Sequence, residues 1–130
     1  FTRAYCELMQ IRYGSNLNCD VDISARYNAY RVEPFSIQTL VENAIKHNVI
    51  TDKHPLNVTI STDNDDSITV SNPVNARKDQ PPGEGIGLAN LAERYKLKWR
   101  REITIRNEEG IFCVRLPLLD GNTSLNETRQ

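Results

Sequence analysis

Cysteine is scarce in this 130-residue chain, and its three copies, Cys6, Cys19 and Cys113, are odd in number and widely separated. None stands in a Cys-x-x-Cys arrangement, which argues against both a disulfide framework and a zinc site, so they read as reduced thiols. No apolar run approaches the ~20 residues needed to cross a bilayer, and no secretory signal peptide is present. Without one, the sequons at Asn57-Val58-Thr59, Asn122-Thr123-Ser124 and Asn126-Glu127-Thr128 carry little weight. An excess of either charge is also missing, since 16 Lys and Arg face 17 Asp and Glu, for a net charge of -1. No broad positive field exists to collect nucleic acid or anionic lipid. An initiator methionine is lacking too: the chain opens at Phe1 on what reads as mid-helix, and a fragment of something longer is expected.

What is present is the composition of one ordinary globular domain, with 25% charged and 38% hydrophobic residues. Tyr5, Leu8 and Met9 recur at helical spacing and predict a helix over residues 2–11. Leu17, Cys19, Val21 and Ile23 alternate with Asn18, Asp20 and Asp22, the period-two signature of a strand with one wet face. Pro34 reads as a helix start. From there to about Asn48, Ile37, Leu40, Val41, Ala44 and Ile45 fall on one side of a 3.6-residue wheel, and Thr39, Asn43, Lys46 and His47 on the other. Val58 and Ile60, then Ile68 and Val70, alternate around an Asn64-Asp65-Asp66 turn and predict a hairpin. A polar, proline-rich loop over residues 73–83 is expected next. Leu88, Leu91, Ala92, Tyr95 and Trp99 give a further helical face, followed by a second hairpin around a turn at residues 107–110. Beyond Leu119 the polar tail is expected to be mobile.

Two segments carry chemistry. On the wet side of the Pro34 helix, Asn43 lies three residues from Lys46 and four from His47, so the three side chains are neighbours. An amide oxygen suits Mg²⁺, which keeps waters and takes few protein ligands, and Lys46 is a point charge for phosphate. Glu42, at the border, can hold or deprotonate an incoming nucleophile. The bland alternative is a solvated face of an amphipathic helix. The second segment, Gly83-Glu84-Gly85-Ile86-Gly87-Leu88-Ala89-Asn90, lacks the Gly-Lys-Ser/Thr of a P-loop and the third glycine of the dinucleotide fingerprint. It remains a Gly-x-Gly-x-Gly turn that delivers backbone amides at a helix start, or else a plain hinge.

Together the two segments resemble the N box and second glycine box of the GHKL ATPase superfamily, most closely its LytS-type sensor histidine kinases. Pro34 to His47, with Leu40-Val41-Glu42-Asn43-Ala44-Ile45-Lys46-His47 at its heart, and Gly85 to Asn90 reproduce the family pattern nearly residue for residue, and Arg94-Tyr95 continues it. The resemblance implies the Bergerat fold, an α/β (α+β two-layer) sandwich in which helices pack on one face of a mixed sheet. ATP and Mg²⁺ are the implied cofactors. Asn43 would be the magnesium ligand and, with Glu42, a catalytic residue. Lys46 and His47 would neighbour the phosphates, and Thr39 would turn a polar group toward the nucleotide. Gly83, Gly85 and Gly87, with Ile86 and Leu88 between and after them, would form the lid that Asn90 orders.

One departure stands out. The family's first glycine box, Asp-x-Gly-x-Gly after a strand, appears as Asn72-Pro73-Val74-Asn75-Ala76. Asn72 can still accept the adenine amino hydrogen bond, but without charge.

The resemblance implies the catalytic ATP-binding domain of a two-component kinase, which passes the γ-phosphate to a histidine on an upstream dimerisation segment outside these residues. A response regulator, a homodimer and a cytoplasmic location in a membrane-anchored sensor are implied with it. Residues 1–12 would end a linker helix, residues 13–119 would form the domain, and residues 120–130 a flexible tail. A nucleotide-sensing pseudokinase and an anti-sigma-type protein serine kinase are alternatives on the same fold.

Overall fold

The computed structural model describes residues 1–75 and 86–120. Leu17–Asp22 (β1), Leu56–Asp63 (β2), Ser67–Pro73 (β3), Thr104–Glu108 (β4) and Ile111–Pro117 (β5) form one five-stranded sheet in the order β1-β2-β3-β5-β4. β1 and β2 pair in parallel, with Leu17 opposite Leu56, while the other neighbours are antiparallel. Parallel neighbours need a long crossover. Ser36–His47 (α2) lies within that connection, and Thr2–Tyr13 (α1) and Ile86–Arg94 (α3) are the other α-helices among the described residues. Both hairpins fall where alternation placed them, and their turns use left-handed backbone at Asp66, Glu109 and Gly110.

Alternation decides which face is covered. On β2, Leu56, Val58 and Ile60 are buried while Asn57 and Thr59 are exposed; on β3, Ile68, Val70 and Asn72 share one face. The same core takes Ile37, Leu40, Val41 and Ala44 from α2, Leu91 from α3 and Tyr5, Cys6 and Met9 from α1. Each large aliphatic side chain fully buried there contributes about 1.5–3 kcal/mol relative to exposure. No helix among the described residues is long and apolar enough to cross a membrane.

Three details differ from the sequence-based expectations. On α1, Cys6 rather than Leu8 joins the core, and Leu8 is 58% exposed. Pro34 opens a turn instead of the helix: Ser36 N donates to Glu33 O at 3.1 Å, and Phe35, with φ 66° and ψ 11°, takes the left-handed position of a type II turn, so α2 begins at Ser36. The helix begun by α3 widens into a π-helical turn at Tyr95–Trp99 before Arg100, at φ 55°, ends it. The loop expected over residues 73–83 and the tail beyond Leu119 lie largely outside the described residues. Leu119 itself pairs with Arg31 through two 2.7 Å backbone bonds.

Candidate functional site

The apolar stripe of α2 sets where its polar side chains go. With Ile37, Leu40, Val41 and Ala44 turned into the core, Thr39, Asn43 and His47 come to rest half-buried at its edge, while Glu42 and Lys46 are exposed. Lys46 and His47 also interact with neighbouring groups. Glu42 faces α1, where burial first and then the nearby Glu42 carboxylate push the Tyr5 hydroxyl pKa up to about 12.

α3 meets α2 at this edge. A Cβ placed on Gly87 would stand 3.5 Å from Thr39 Cγ2, so the start of the glycine-led helix lies directly against the helix that carries Asn43. The first turn of any α-helix leaves N–H groups without intrahelical partners, and here that turn contains Ile86, Gly87 and Leu88, with the exposed Asn90 just after it. Leu88 packs against the core and Ile86 is exposed. Gly83 and Gly85 lie outside the described residues. Because 3.5 Å is ordinary contact and alanine is the better helix former, Gly87→Ala should leave the thermal unfolding midpoint unchanged or raise it, by up to about 0.5 kcal/mol in stability. A marked fall in the midpoint would show that the methyl group does not fit.

Asn72 belongs to the sheet. It sits on the helix-covered face of β3, buried, and its Nδ2 donates to Pro73 O at 2.8 Å, which leaves Oδ1 as the atom able to accept from a ligand. Two asparagines that the sequence did not single out fix the exit from β3. Asn48, buried at the end of α2, donates through Nδ2 to Ala44 O at 2.8 Å and accepts Asn75 N on Oδ1 at 2.7 Å. Val49 N donates to Asn75 O at 2.8 Å. The chain entering residues 76–85 is thus stitched to the end of the Asn43 helix. An asparagine just past a predicted helix end is the one sequence signal for this clamp.

Glu33 also escaped the sequence reading. Its carboxylate is 3% exposed, yet it gathers Arg94 Nε at 3.2 Å, Lys98 Nζ at 3.0 Å and Trp99 Nε1 at 2.9 Å. Tyr95 completes the knot: its hydroxyl donates to Pro117 O at 3.0 Å and accepts Glu33 N at 3.3 Å, and burial pushes its pKa up to about 12, so it holds its proton throughout the physiological range. A cavity of about 770 Å³ opens beside the turn at Pro34, among Tyr27, Tyr30, Glu33, Phe35 and Gln38. Asn43, Lys46 and Gly87 do not line it.

The donor set fits a magnesium-bound nucleotide: an amide oxygen at Asn43, basic side chains one turn on, and amides from a glycine-led helix start. No family model matches the chain. The sensor histidine kinase/phosphatase LytS of Staphylococcus aureus, in strains Mu50 and N315, is 49% identical over 45 residues, which are 35% of this chain and 8% of LytS. The match thus spans less than a tenth of those relatives. Among solved structures, the catalytic domain of histidine kinase ThkA superposes with a TM-score of 0.53 at 14% identity, covering 89% of this chain and 88% of that one. The mycobacterial sensor histidine kinase MprB gives 0.55 at 13% identity, with 91% and 90% covered. Acinetobacter baumannii histidine kinase AdeS gives 0.51 at 17% identity, with 93% and 65% covered. The chain therefore has the fold of the histidine kinase catalytic domains, a mixed sheet layered with helices, as its sequence motifs implied.

Proposed function

We propose that this chain is the ATP-binding catalytic domain of a sensor histidine kinase of the LytS type. The closeness of Gly87 to Thr39, such that an added Cβ would just touch it, carries the reading, because the amide-bearing helix start and the Asn43 helix then share an edge. Phosphoryl transfer asks a protein for positioning and charge neutralisation more than for a nucleophile. Mg²⁺, held by Asn43 and the phosphates, supplies charge neutralisation when bound.

The remaining work falls to the chain's own groups. Lys46 and His47 set positive charge beside the phosphates, the first amides of α3 donate to phosphate oxygens, and Asn90 orders the glycine lid. Asn72 Oδ1 accepts from the adenine amino group. Glu42, which is exposed, takes a proton from an incoming acceptor on its carboxylate, a reading that its exposure supports. The acceptor is a histidine on an upstream dimerisation segment, with residues 1–12 as the end of the helix leading from it. A response regulator then receives the phosphoryl group, and the full protein works as a homodimer. The domain is cytoplasmic and belongs to a membrane-anchored sensor, and residues 120–130 form its tail.

Asn72-Pro73, in place of an aspartate followed by a glycine box, favours a second reading, a nucleotide-sensing module that keeps the fold without chemistry. Thermal unfolding with increasing Mg²⁺ and ATP or ADP tests both. Nucleotide at ~100 times its dissociation constant should add about 2.7 kcal/mol of stability. A stable shift without phosphoryl transfer, in a protein that includes the upstream segment, selects the sensing module, and no shift at millimolar nucleotide rejects both.

A further inference from the structure

The π-helical turn at Tyr95–Trp99 is a costly irregularity in an otherwise regular helix, and such turns are rare outside sites where they serve a purpose. Its effect here is geometric. In an α-helix Arg94 and Lys98 share a face, but Trp99, five residues on from Arg94, would point roughly 140° away from it. The wider turn brings that fifth residue back, and Arg94, Lys98 and Trp99 all reach one carboxylate, Glu33, between 2.9 and 3.2 Å. Glu33 stands three residues ahead of α2 and is itself fixed, its N–H by the Tyr95 hydroxyl and its carbonyl by Ser36 N and Ser36 Oγ.

α3 and its extension are thus tied to α2 at both ends, by Gly87 against Thr39 and by the Glu33 cluster against the entry turn. Of the two, only the second contains charge-assisted bonds, made by a carboxylate from which water is excluded. The first is apolar packing alone, Gly87 beside Thr39 with Leu88 and Leu91 turned toward the core. We propose that Glu33 is a positioning residue for the nucleotide site, a latch whose hold on the π-helical turn keeps the start of α3 seated against the Asn43 helix. The consequence for the site rests on the nucleotide-binding reading given above, while the latch itself does not.

The test uses the 130-residue chain with Glu33→Gln, which removes the charge but keeps oxygen acceptance, and Trp99→Phe, which removes one donor but keeps the ring. Mg²⁺-ATP affinity is measured by calorimetry well below the unfolding midpoint, and amide hydrogen exchange at residues 87–90 is measured without nucleotide. Glu33→Gln should weaken ATP binding about tenfold and Trp99→Phe by less, and both should speed exchange at residues 87–90. A purely structural role would lower the unfolding midpoint but leave the folded chain's affinity and those exchange rates unchanged, and that result overturns the latch. If the unsubstituted chain binds no nucleotide, the functional reading fails alone, and exchange at residues 87–90 still decides for or against the latch. Should Glu33→Gln not fold, Trp99→Phe and Lys98→Gln decide by the same two readouts.

Discussion

Asn43→Ala leaves the chain folded and removes its Mg²⁺-dependent nucleotide binding. The fold survives because Asn43 lies on the edge of α2 away from Ile37, Leu40, Val41 and Ala44, which supply the packing. Alanine is moreover the better helix former, by about 0.5 kcal/mol, so the unfolding midpoint should hold or rise. Binding is lost because Mg²⁺ takes few protein ligands, so removing one leaves the protein little hold on the ion. The affinity for Mg²⁺-ATP should fall at least ~100-fold, more than the 10–100-fold typical of outer-shell partners. Affinity for metal-free ATP, measured in chelator, should change little. Calorimetry under both conditions makes the comparison. Unchanged Mg²⁺-ATP affinity would take Asn43 out of the site, and an equal loss with and without metal would make it a phosphate contact instead.

The parts of this molecule that were legible in the sequence are those governed by short-range periodicity. The stripe Ile37, Leu40, Val41 and Ala44 had to bury itself, which left Thr39, Asn43 and His47 at the edge of α2. Strict alternation around Asp65 and Gly110 gave both hairpins. The family resemblance then joined the Asn43 helix to the glycine-led helix, a pairing that periodicity alone does not contain. The parts that were not legible depend on partners far apart in the chain. Nothing local marks Glu33 beside Pro34, and only folding brings it Arg94, Lys98 and Trp99 from more than 60 residues downstream. The proline signal misled for a local reason. Pro fits the second position of a type II turn as well as the first turn of a helix, and the left-handed Phe35 that decides between them is a residue no sequence rule would put there. Leu8 sits at helical spacing from Tyr5, but the contact of α1 with β1, where Gln10 accepts the Cys19 N–H at 3.2 Å, turns Cys6 inward instead.

Asn72→Asp should act in opposite directions on the free chain and on the nucleotide complex. In the free chain the side chain is 4% exposed and its Nδ2 donates to Pro73 O at 2.8 Å. Aspartate offers no N–H there. It sets a carboxylate oxygen against a carbonyl oxygen in a place water does not reach, and losing the bond while burying an unsatisfied acceptor costs about 1–3 kcal/mol, more when the group is charged. The variant's unfolding midpoint should therefore drop by several degrees at pH 7 to 8. The sign of its pH dependence follows. Burial without a donor raises the folded-state pKa of the new carboxyl above its unfolded value near 3.9. The variant's deficit should then be smallest below about pH 4, where the group is neutral in both states, and grow as pH rises through the folded pKa. With ATP present the balance shifts, because the adenine amino group supplies the missing donor and a bond to a charged acceptor is worth more than one to an amide oxygen. Affinity for ATP, measured on the folded variant, should rise by about fivefold, while affinity for GTP, which presents a carbonyl oxygen at the equivalent place, should fall. A loss of ATP affinity equal to the loss of GTP affinity would mean that the base does not meet β3 at Asn72, and that the segment Asn72-Pro73-Val74 frames the pocket in some other way.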